Sequence, residues 1–351
     1  MRIKSLKINV HNEWDPLEEI IVGIAHNAQF PPYDRSFHAT FYGECAVDEV
    51  PTGKFADWIV EEAEEDLALL ADTFQKLGIS VRRPQVTDHS LPVVTPLWKT
   101  EGLFNYCPRD ILLAIGDTII ESPSPMRARL LEAQAYHHLM PKVMENGCRW
   151  IAAPRPVLAD ELFDLDNPDH ECLKNTEVVF DAANVLRLGR DILFLISNTG
   201  NDAGLSWLQN TLGETYRVHS CRHIYKHTHI DTTLIPLRPG LIMVNGARVN
   251  SDNLPPILKS WDTIYFSDVV DIGFSGGGHR GCASEWIGLN LLMINPTLAV
   301  VDKNQMALIR LLEKYGIDCI PLAMRHARTL GGGFHCVTLD TRRKGTLESY
   351  F

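Results

Sequence analysis

The chain has 351 residues, of which 45% are hydrophobic and 22% charged, and its formal net charge is −11 at pH 7. These values are typical of a globular protein, and the acidic balance argues against a sequence-independent nucleic-acid binder, which carries a basic surplus. No apolar run approaches the roughly 18 residues of a membrane-spanning helix. The N-terminal residues also lack the apolar region of a secretory signal, so we expect a cytoplasmic protein.

In chain order, "PLEEIIVG" predicts a first strand, and a recurring unit follows it. An amphipathic helix from Trp58 ends before Gly78 and leads into an alternating strand, Ile79 to Arg83. Three further copies and a degenerate one without the glycine are predicted: 128–154 with Gly147, 206–221 with Gly213, 306–324 with Gly316, and the degenerate copy at 254–268.

Paired apolar runs separated by turn signals lie between these helices and predict β-hairpins at residues 110–122, 185–197, 234–245 and 289–302. A unit of hairpin, helix and strand cannot bury its apolar face alone. Five such units therefore predict a closed circular array, with residues 1–351 as a single domain. Chemistry at the axis of this array would come from residues far apart in sequence.

A metal site is not predicted. The eight cysteines show no Cys-x-x-Cys pair and no regular spacing, which argues against a zinc ribbon and a disulfide framework alike. His223, His227 and His229 form a His-x3-His-x-His pattern, but the commoner helical metal spacings and a nearby cysteine–histidine cluster are missing. The basic cluster Arg342 to Lys344 is predicted to be a solvated turn.

Acidic side chains precede several predicted strands. Asp110 in "YCPRD" and Asp181 in "FDAAN" stand directly before apolar runs. The alternation of "THID" predicts a strand with His229 and Asp231 on one face. A histidine beside a carboxylate is a catalytic arrangement, and a satisfied pair at a sheet surface is the simpler alternative. Carboxylates converging on one axis would suit a guanidinium, which carboxylates bind bidentately.

Cys336 follows three glycines and a histidine in "LGGGFHC". It is either a small buried hydrophobe at the head of the last strand, or a nucleophile facing a ligand that the glycines admit. The local sequence alone favours the buried structural role.

Together, "PRD", "FDAAN", "HID" and "GGGFHC", in this order, resemble the arginine amidinotransferases of the pentein superfamily. The opening "VHNEWDPLEEIIVG" is similar to that of the bacterial branch, whose members work in specialised metabolism. The resemblance covers essentially the whole chain. It implies an α/β fold, a five-bladed pseudo-symmetric propeller, without a metal or an organic cofactor. It also implies an L-arginine donor, a small amine acceptor and a homodimer.

The resemblance also assigns residues. It implies Cys336 as the nucleophile, His229 as the general acid and base, and Asp181 as the carboxylate that orients His229. Asp110 and Asp231 are implied as clamps of the guanidinium. Arg248 in "NGARVN" and Ser284 in "CASEW" match positions that bind the α-carboxylate of arginine.

The chain departs from the family pattern at three positions: Asn184 replaces an aspartate, and Lys226 and Thr228 replace the Asn and Met of the glycine-using enzymes. The last two favour an acceptor larger than glycine, because Thr is smaller than Met and adds a hydroxyl. In a regular strand, however, Thr228 would point away from His229. The glycine-rich segment 274–281 lacks the features of a phosphate-binding loop and is predicted to move at the pocket mouth.

Three alternatives remain open. A glycine amidinotransferase would use the same machinery with a smaller acceptor. An arginine or agmatine deiminase or a methylarginine hydrolase would admit water instead, but such enzymes carry an "EGGD"-like motif where this chain has "DAAN". A non-catalytic protein that binds a cationic amino acid would have no use for Cys336.

Overall fold

The computed structural model describes residues 6–167, 169–275 and 281–351. Its core is a set of five three-stranded sheets, which we number as blades 1 to 5 in chain order. In each blade two antiparallel strands are extended by a third strand that runs parallel to its neighbour. The five predicted units are thereby confirmed.

The blades have the following strands. Blade 1 contains Thr338–Arg343, Leu17–Val22 and Ser80–Arg82; blade 2, Leu112–Ile115, Thr118–Glu121 and Arg149–Ala152; blade 3, Val185–Leu188, Asp191–Leu195 and Arg217–Cys221; blade 4, Leu234–Arg238, Leu241–Asn245 and Asp262–Phe266; blade 5, Leu292–Asn295, Leu298–Asp302 and Asp318–Leu322. Two small antiparallel pairs lie outside the blades: Gln29–Phe30 with Gly53–Lys54, and Val93–Val94 with Lys99–Thr100.

Blade 1 joins the two ends of the chain. Its strand Leu17–Val22 pairs antiparallel with the C-terminal strand Thr338–Arg343, so that Ile20 stands opposite Asp340. In the other four blades the two antiparallel strands follow each other in sequence and are joined by a short hairpin turn. A circular array requires such a pairing of the first and last units, because every blade otherwise leaves an apolar face uncovered.

The α-helices are Arg35–Phe41, Asp57–Lys76, Pro108–Ile111, Met140–Glu145, Asp202–Leu212, Met306–Lys314 and Ala327–Leu330. The 3₁₀ helices are Val47–Glu49, Arg127–Arg129, Glu132–Leu139, Asp160–Leu162, Ala182–Asn184, Gly213–Thr215, Pro256–Ser260 and Glu285–Leu289. None of the helices in the described ranges is long and apolar enough to cross a membrane.

The predicted helices of three units are confirmed, and those units have Gly78, Gly213 and Gly316 in positive-φ conformation near the helix end. The unit 128–154 differs. Most of its predicted helix is 3₁₀, and an α-helix begins only at Met140. Pro141 lacks an N–H donor and therefore fits the first turn of a helix rather than its interior.

Candidate active site

Each blade has a short turn or helix directly before its first strand, and these five segments carry most of the site. Asp110 lies in the helix before the first strand of blade 2, and Asp181 directly precedes the 3₁₀ helix that leads into the first strand of blade 3. Asp231 and Cys336 occupy the turns before the first strands of blades 4 and 1, and Asn290 directly follows the 3₁₀ helix before the first strand of blade 5. Five residues far apart in sequence thus hold equivalent positions in the five units.

His229 lies between two carboxylates. Its Nε2 is 3.0 Å from Oδ2 of Asp181, and its Nδ1 is 3.5 Å from Oδ1 of Asp110. The predicted strand around "THID" is wrong: His229 lies in an irregular loop, and Asp231 begins a turn. The loop is held by distant parts of the chain, since Ile230 N–H donates to the Ala183 carbonyl and Ser197 Oγ–H to the Thr228 carbonyl.

The carboxylates determine the charge of this histidine. Burial alone would lower the pKa of His229, but the charge of Asp110, the hydrogen bond and charge of Asp181 and the charge of Asp231 raise it to about 9. The side chain is therefore an imidazolium at neutral pH. Oδ1 of Asp110 and Oδ1 of Asp181 are buried without a hydrogen-bond partner among the described residues. These two oxygens can accept N–H groups of a ligand.

Arg129 fixes the other side of Asp110, which the sequence did not indicate. Its Nη1 donates to Oδ2 of Asp110 at 2.7 Å. Its Nε and Nη2 donate to the two carboxylate oxygens of Glu132 at 2.6 and 2.8 Å. Burial raises the pKa of Glu132 to about 7 although Arg129 opposes this. Burial raises the pKa of Asp110 too, against the charges of His229 and Arg129. Asp110 is thus held by Arg129, and its ionisation depends on the charges of Arg129 and His229.

Cys336 is buried in the turn that precedes Thr338. Its Sγ is 3.2 Å from Oδ2 of Asp231, and its N–H donates to Oδ1 of Asn290 at 3.0 Å. Burial, followed by the charges of Asp231 and Asp110, raises the pKa of the thiol well above its ordinary value. In the described structure, then, the group is a thiol that donates to a carboxylate.

The glycines before Cys336 permit close packing. A Cβ on Gly332 would lie 2.5 Å from Sγ of Cys107, and one on Gly333 would lie 2.7 Å from Cβ of Asn290. Only glycine fits at such distances. The segment can therefore pass directly against the turns of blades 2 and 5.

Asp231 is shared by two donors. Its Oδ2 lies 2.9 Å from Nδ1 of His335 as well as 3.2 Å from Sγ of Cys336. Burial opposes ionisation, but the hydrogen bond and charge of His335 and the charge of His229 lower the pKa of Asp231. His335 also reaches Glu13, with 3.2 Å between Nε2 and Oε2. The motifs "GGGFHC" and "HNEWDP" contained both residues, but nothing local indicated that they meet.

Arg248 and Ser284 form a second polar group beside the turn at Asp231. Nη2 of Arg248 is 3.0 Å from Oγ of Ser284, and Nη1 donates to the hydroxyls of Thr232 and Thr233 at 3.0 and 2.8 Å. The guanidinium also lies 3.7 Å from the ring centroid of Tyr225, a cation–π contact. This half-buried cation can bind a carboxylate in a bidentate manner.

Lys226 and Thr228 stand on the loop that leads into His229. Nζ of Lys226 is 3.0 Å from Oε1 of Glu44. Lys226 and Glu44 line a cavity of about 120 Å³, together with His227, Asn198 and Tyr42. Thr228 is half-buried. Of the predicted mobile segment 274–281, residues 276–280 lie outside the described residues.

The described ranges contain no group of three or more His, Cys, Asp or Glu side chains arranged to hold a metal ion. His229 is engaged by Asp181 and Asp110, whereas His227 faces Glu44 at 3.9 Å. The three histidines of the His-x3-His-x-His pattern therefore do not form a metal centre in this part of the chain.

No model of a known protein family matches the chain. Individual relatives do. An inosamine-phosphate amidinotransferase of Streptomyces glaucescens is 52% identical over 345 residues, which are 98% of this chain and 99% of the relative. The mitochondrial glycine amidinotransferase of Gallus gallus is 35% identical over 369 residues, covering 99% and 86%. An L-arginine:L-lysine amidinotransferase of Pseudomonas savastanoi pv. phaseolicola is 33% identical over 363 residues, covering 99% and 98%.

Solved structures agree with these relatives. Inosamine-phosphate amidinotransferase StrB1 of Streptomyces griseus superposes with a TM-score of 0.96 at 51% identity, over 99% of both chains. SxtG, an amidinotransferase of the saxitoxin biosynthetic pathway of Microseira wollei, gives a TM-score of 0.89 at 36% identity, over 98% and 99%. DDAH of Pseudomonas aeruginosa superposes with a TM-score of 0.58 at 12% identity, over 92% of this chain and 99% of that chain. At this low identity the similarity shows only that the two chains share the pentein fold. This chain, with its five blades, belongs to the amidinotransferase family.

Proposed function

We propose that the protein transfers the amidino group of L-arginine to a primary amine and releases L-ornithine, with Cys336 carrying the group between the two steps. The observation that supports this most is the convergence of Asp110, Asp181 and Asp231 on His229 and Cys336. Oδ1 of Asp110 and Oδ1 of Asp181 are also buried without a hydrogen-bond partner among the described residues. A buried acidic site beside a thiol suits a cationic, electrophilic carbon.

The donor would bind at both ends. The guanidinium of arginine donates hydrogen bonds to the carboxylates of Asp110 and Asp231, whose oxygens match its planar fork and whose charges balance its own. The α-carboxylate of arginine meets Arg248 and Ser284, which lie 3.0 Å from each other. Two fixed ends place the guanidinium carbon against Sγ of Cys336.

The bound donor would activate the thiol. Without arginine, burial and the charges of Asp231 and Asp110 keep the pKa of Cys336 high. A guanidinium between these carboxylates neutralises their effect and favours the thiolate. The thiol proton leaves to solvent as arginine binds. Sγ then attacks the guanidinium carbon and forms a tetrahedral adduct.

His229 would supply and remove protons in turn. As an imidazolium it protonates the nitrogen of the departing ornithine, the carbon–nitrogen bond breaks, and an amidino group remains on Cys336. The neutral imidazole then takes a proton from the acceptor amine, which attacks the same carbon and displaces the Cys336 thiolate. Asp181 holds the ring through Nε2 and stabilises its cationic form.

We propose an acceptor larger than glycine, in a specialised metabolic pathway. Three observations support this. Lys226 borders a cavity of about 120 Å³ whose lining mixes acidic, basic and amide side chains, as a polar amine requires. Thr228 belongs to a loop, so the orientation expected from a regular strand does not apply. Relatives named for inosamine phosphate are more similar to this chain than those named for glycine.

The test is an assay with arginine and a panel of amines, followed by mass spectrometry of ornithine, citrulline and guanidino products. We expect ornithine in equal amount to a guanidino product, with the highest kcat/KM for an amine larger than glycine. The double variant Lys226→Asn with Thr228→Met should shift the preference toward glycine. Formation of citrulline without an amine would instead identify a hydrolase. Binding of arginine without any turnover would identify a non-catalytic binding protein.

A further inference from the structure

His335 lies between two buried carboxylates. Its Nδ1 is 2.9 Å from Oδ2 of Asp231, and its Nε2 is 3.2 Å from Oε2 of Glu13. The His335 side chain is only 10% exposed, and those of Glu13 and Asp231 are 4% and 5% exposed. An ionised carboxylate can only accept hydrogen bonds. Each ring nitrogen therefore faces an acceptor, to which it can donate when it carries a proton.

The far carboxylate is fixed. Arg187 donates through Nε and Nη2 to the two oxygens of Glu13 at 2.8 and 2.7 Å, and Nη2 also reaches Asp340 at 3.0 Å. The main chain of the histidine is fixed as well. Nε of Arg109 donates to the His335 carbonyl at 2.8 Å, and the His335 N–H donates to Oδ1 of Asn290 at 3.0 Å. The ring thus has a rigid support on the side away from Asp231.

The near carboxylate connects this support to the sulfur, because the same Oδ2 of Asp231 also accepts from Sγ of Cys336 at 3.2 Å. We infer that His335 is a positioning residue of the amidino transfer: held by Glu13, it keeps Asp231 ionised and aimed at the Cys336 sulfur and the donor guanidinium. This inference rests on the proposed function. It explains why a histidine stands directly before the cysteine.

Asp231 interacts with several other titratable or charged groups: His229, Cys336, Cys107 and Arg248. Among the charged groups that the structure describes around Asp231, His335 is hydrogen-bonded to it at 2.9 Å, whereas His229 acts through its charge. Loss of His335 should therefore weaken the ionisation and the aim of Asp231 together.

Two isosteric variants separate the two hydrogen bonds of the ring. His335→Asn places an amide nitrogen near the position of Nδ1 and can retain the bond to Asp231. His335→Gln places one near Nε2 and can retain the bond to Glu13 only. We expect kcat/KM for arginine to fall about 100-fold in His335→Gln and about 10-fold in His335→Asn. His219→Gln, which removes a histidine paired with Asp191 at 2.8 Å in blade 3, is the matched control.

A binding measurement without turnover accompanies the kinetics. Arginine affinity is determined by calorimetry near neutral pH in the Cys336→Ser background. Because a correctly aimed Asp231 binds the guanidinium, the affinity should fall about tenfold in His335→Gln and clearly less in His335→Asn, which can retain the bond to Asp231. Glu13→Gln, which keeps the size of the side chain, should lower the affinity by less than His335→Gln.

Equal losses of kcat/KM and of arginine affinity in His335→Asn and His335→Gln would overturn the inference and leave His335 a structural residue. Failure of the proposed function looks different. If the wild type binds arginine but releases no ornithine, the transfer is wrong, and the arginine affinities of the variants still test His335. If arginine does not bind at all, both are overturned.

Discussion

Replacement of Asp181 by Asn removes the nearest hydrogen-bond acceptor of His229 without changing the size of the side chain. In the wild type the pKa of His229 is raised to about 9, and the hydrogen bond and the charge of Asp181 supply two of the four raising contributions. The charges of Asp110 and Asp231 remain in the variant. We therefore expect the pKa of His229 to fall by about one to two units.

The sign and size of the kinetic effect follow from the role of the imidazolium. Ornithine release needs protonated His229, so its rate is high below the pKa and falls as pH rises through it. With a pKa of about 9 in the wild type and about 7.5 in the variant, the protonated fraction at pH 8.5 drops about eightfold. An amide can also hold the wrong tautomer, which adds a loss of about 100-fold or more at every pH.

The assay is single-turnover release of ornithine from arginine without an acceptor, measured from about pH 6 to pH 10. Asp72→Asn is the matched control, since Asp72 is half-exposed on the helix Asp57–Lys76 and forms an ion pair with Lys76 on the same helix. Its profile should coincide with that of the wild type. A basic limb that stays in place in Asp181→Asn would refute the assignment of His229 as the acid oriented by Asp181.

Two further predictions concern the donor site and the packing. Arg248→Lys keeps a positive charge but loses the paired hydrogen bonds to Ser284 and to Thr232 and Thr233. The KM for arginine should rise about tenfold with kcat nearly unchanged. A loss in kcat alone would contradict the assignment of Arg248 to the α-carboxylate of arginine. Gly332→Ala should lower Tm and activity together, because the added Cβ would lie 2.5 Å from Sγ of Cys107. Gly246→Ala is the control, since its added Cβ would have no neighbour closer than 3.4 Å among the described residues. Equal Tm values for the two variants would contradict this packing.

The blades could be predicted because their signals are local. Each hairpin has a turn signal between two apolar runs, "PRD" and "FDAAN" stand directly before apolar strands, and "GGGFHC" stands before the last strand. The equivalent segment of blade 5 ends in Asn290, which is uncharged and stands in no recognised motif. Its role as acceptor for two backbone N–H groups became visible only in the structure.

The errors have long-range causes. The loop around His229 was interpreted as a strand because its residues alternate, but bonds to Ala183 and Ser197, 47 and 31 residues away, fix its path. The predicted solvated turn at Arg342 to Lys344 is also wrong in part. Arg343 is the last residue of the strand Thr338–Arg343, where it is buried and donates to Asp340. Glu13 and His335, 322 residues apart, could not be paired from sequence.

The central claim is that Cys336 carries the amidino group between donor and acceptor. The most direct measurement is the intact mass of the protein after incubation with arginine and no amine, followed by peptide mapping. We predict a gain of one amidino group on the peptide that contains Cys336, with one ornithine released per protein, and its loss when an acceptor amine is added. Ornithine released only in the presence of the amine, with an unmodified protein or a label on another residue, would contradict the mechanism.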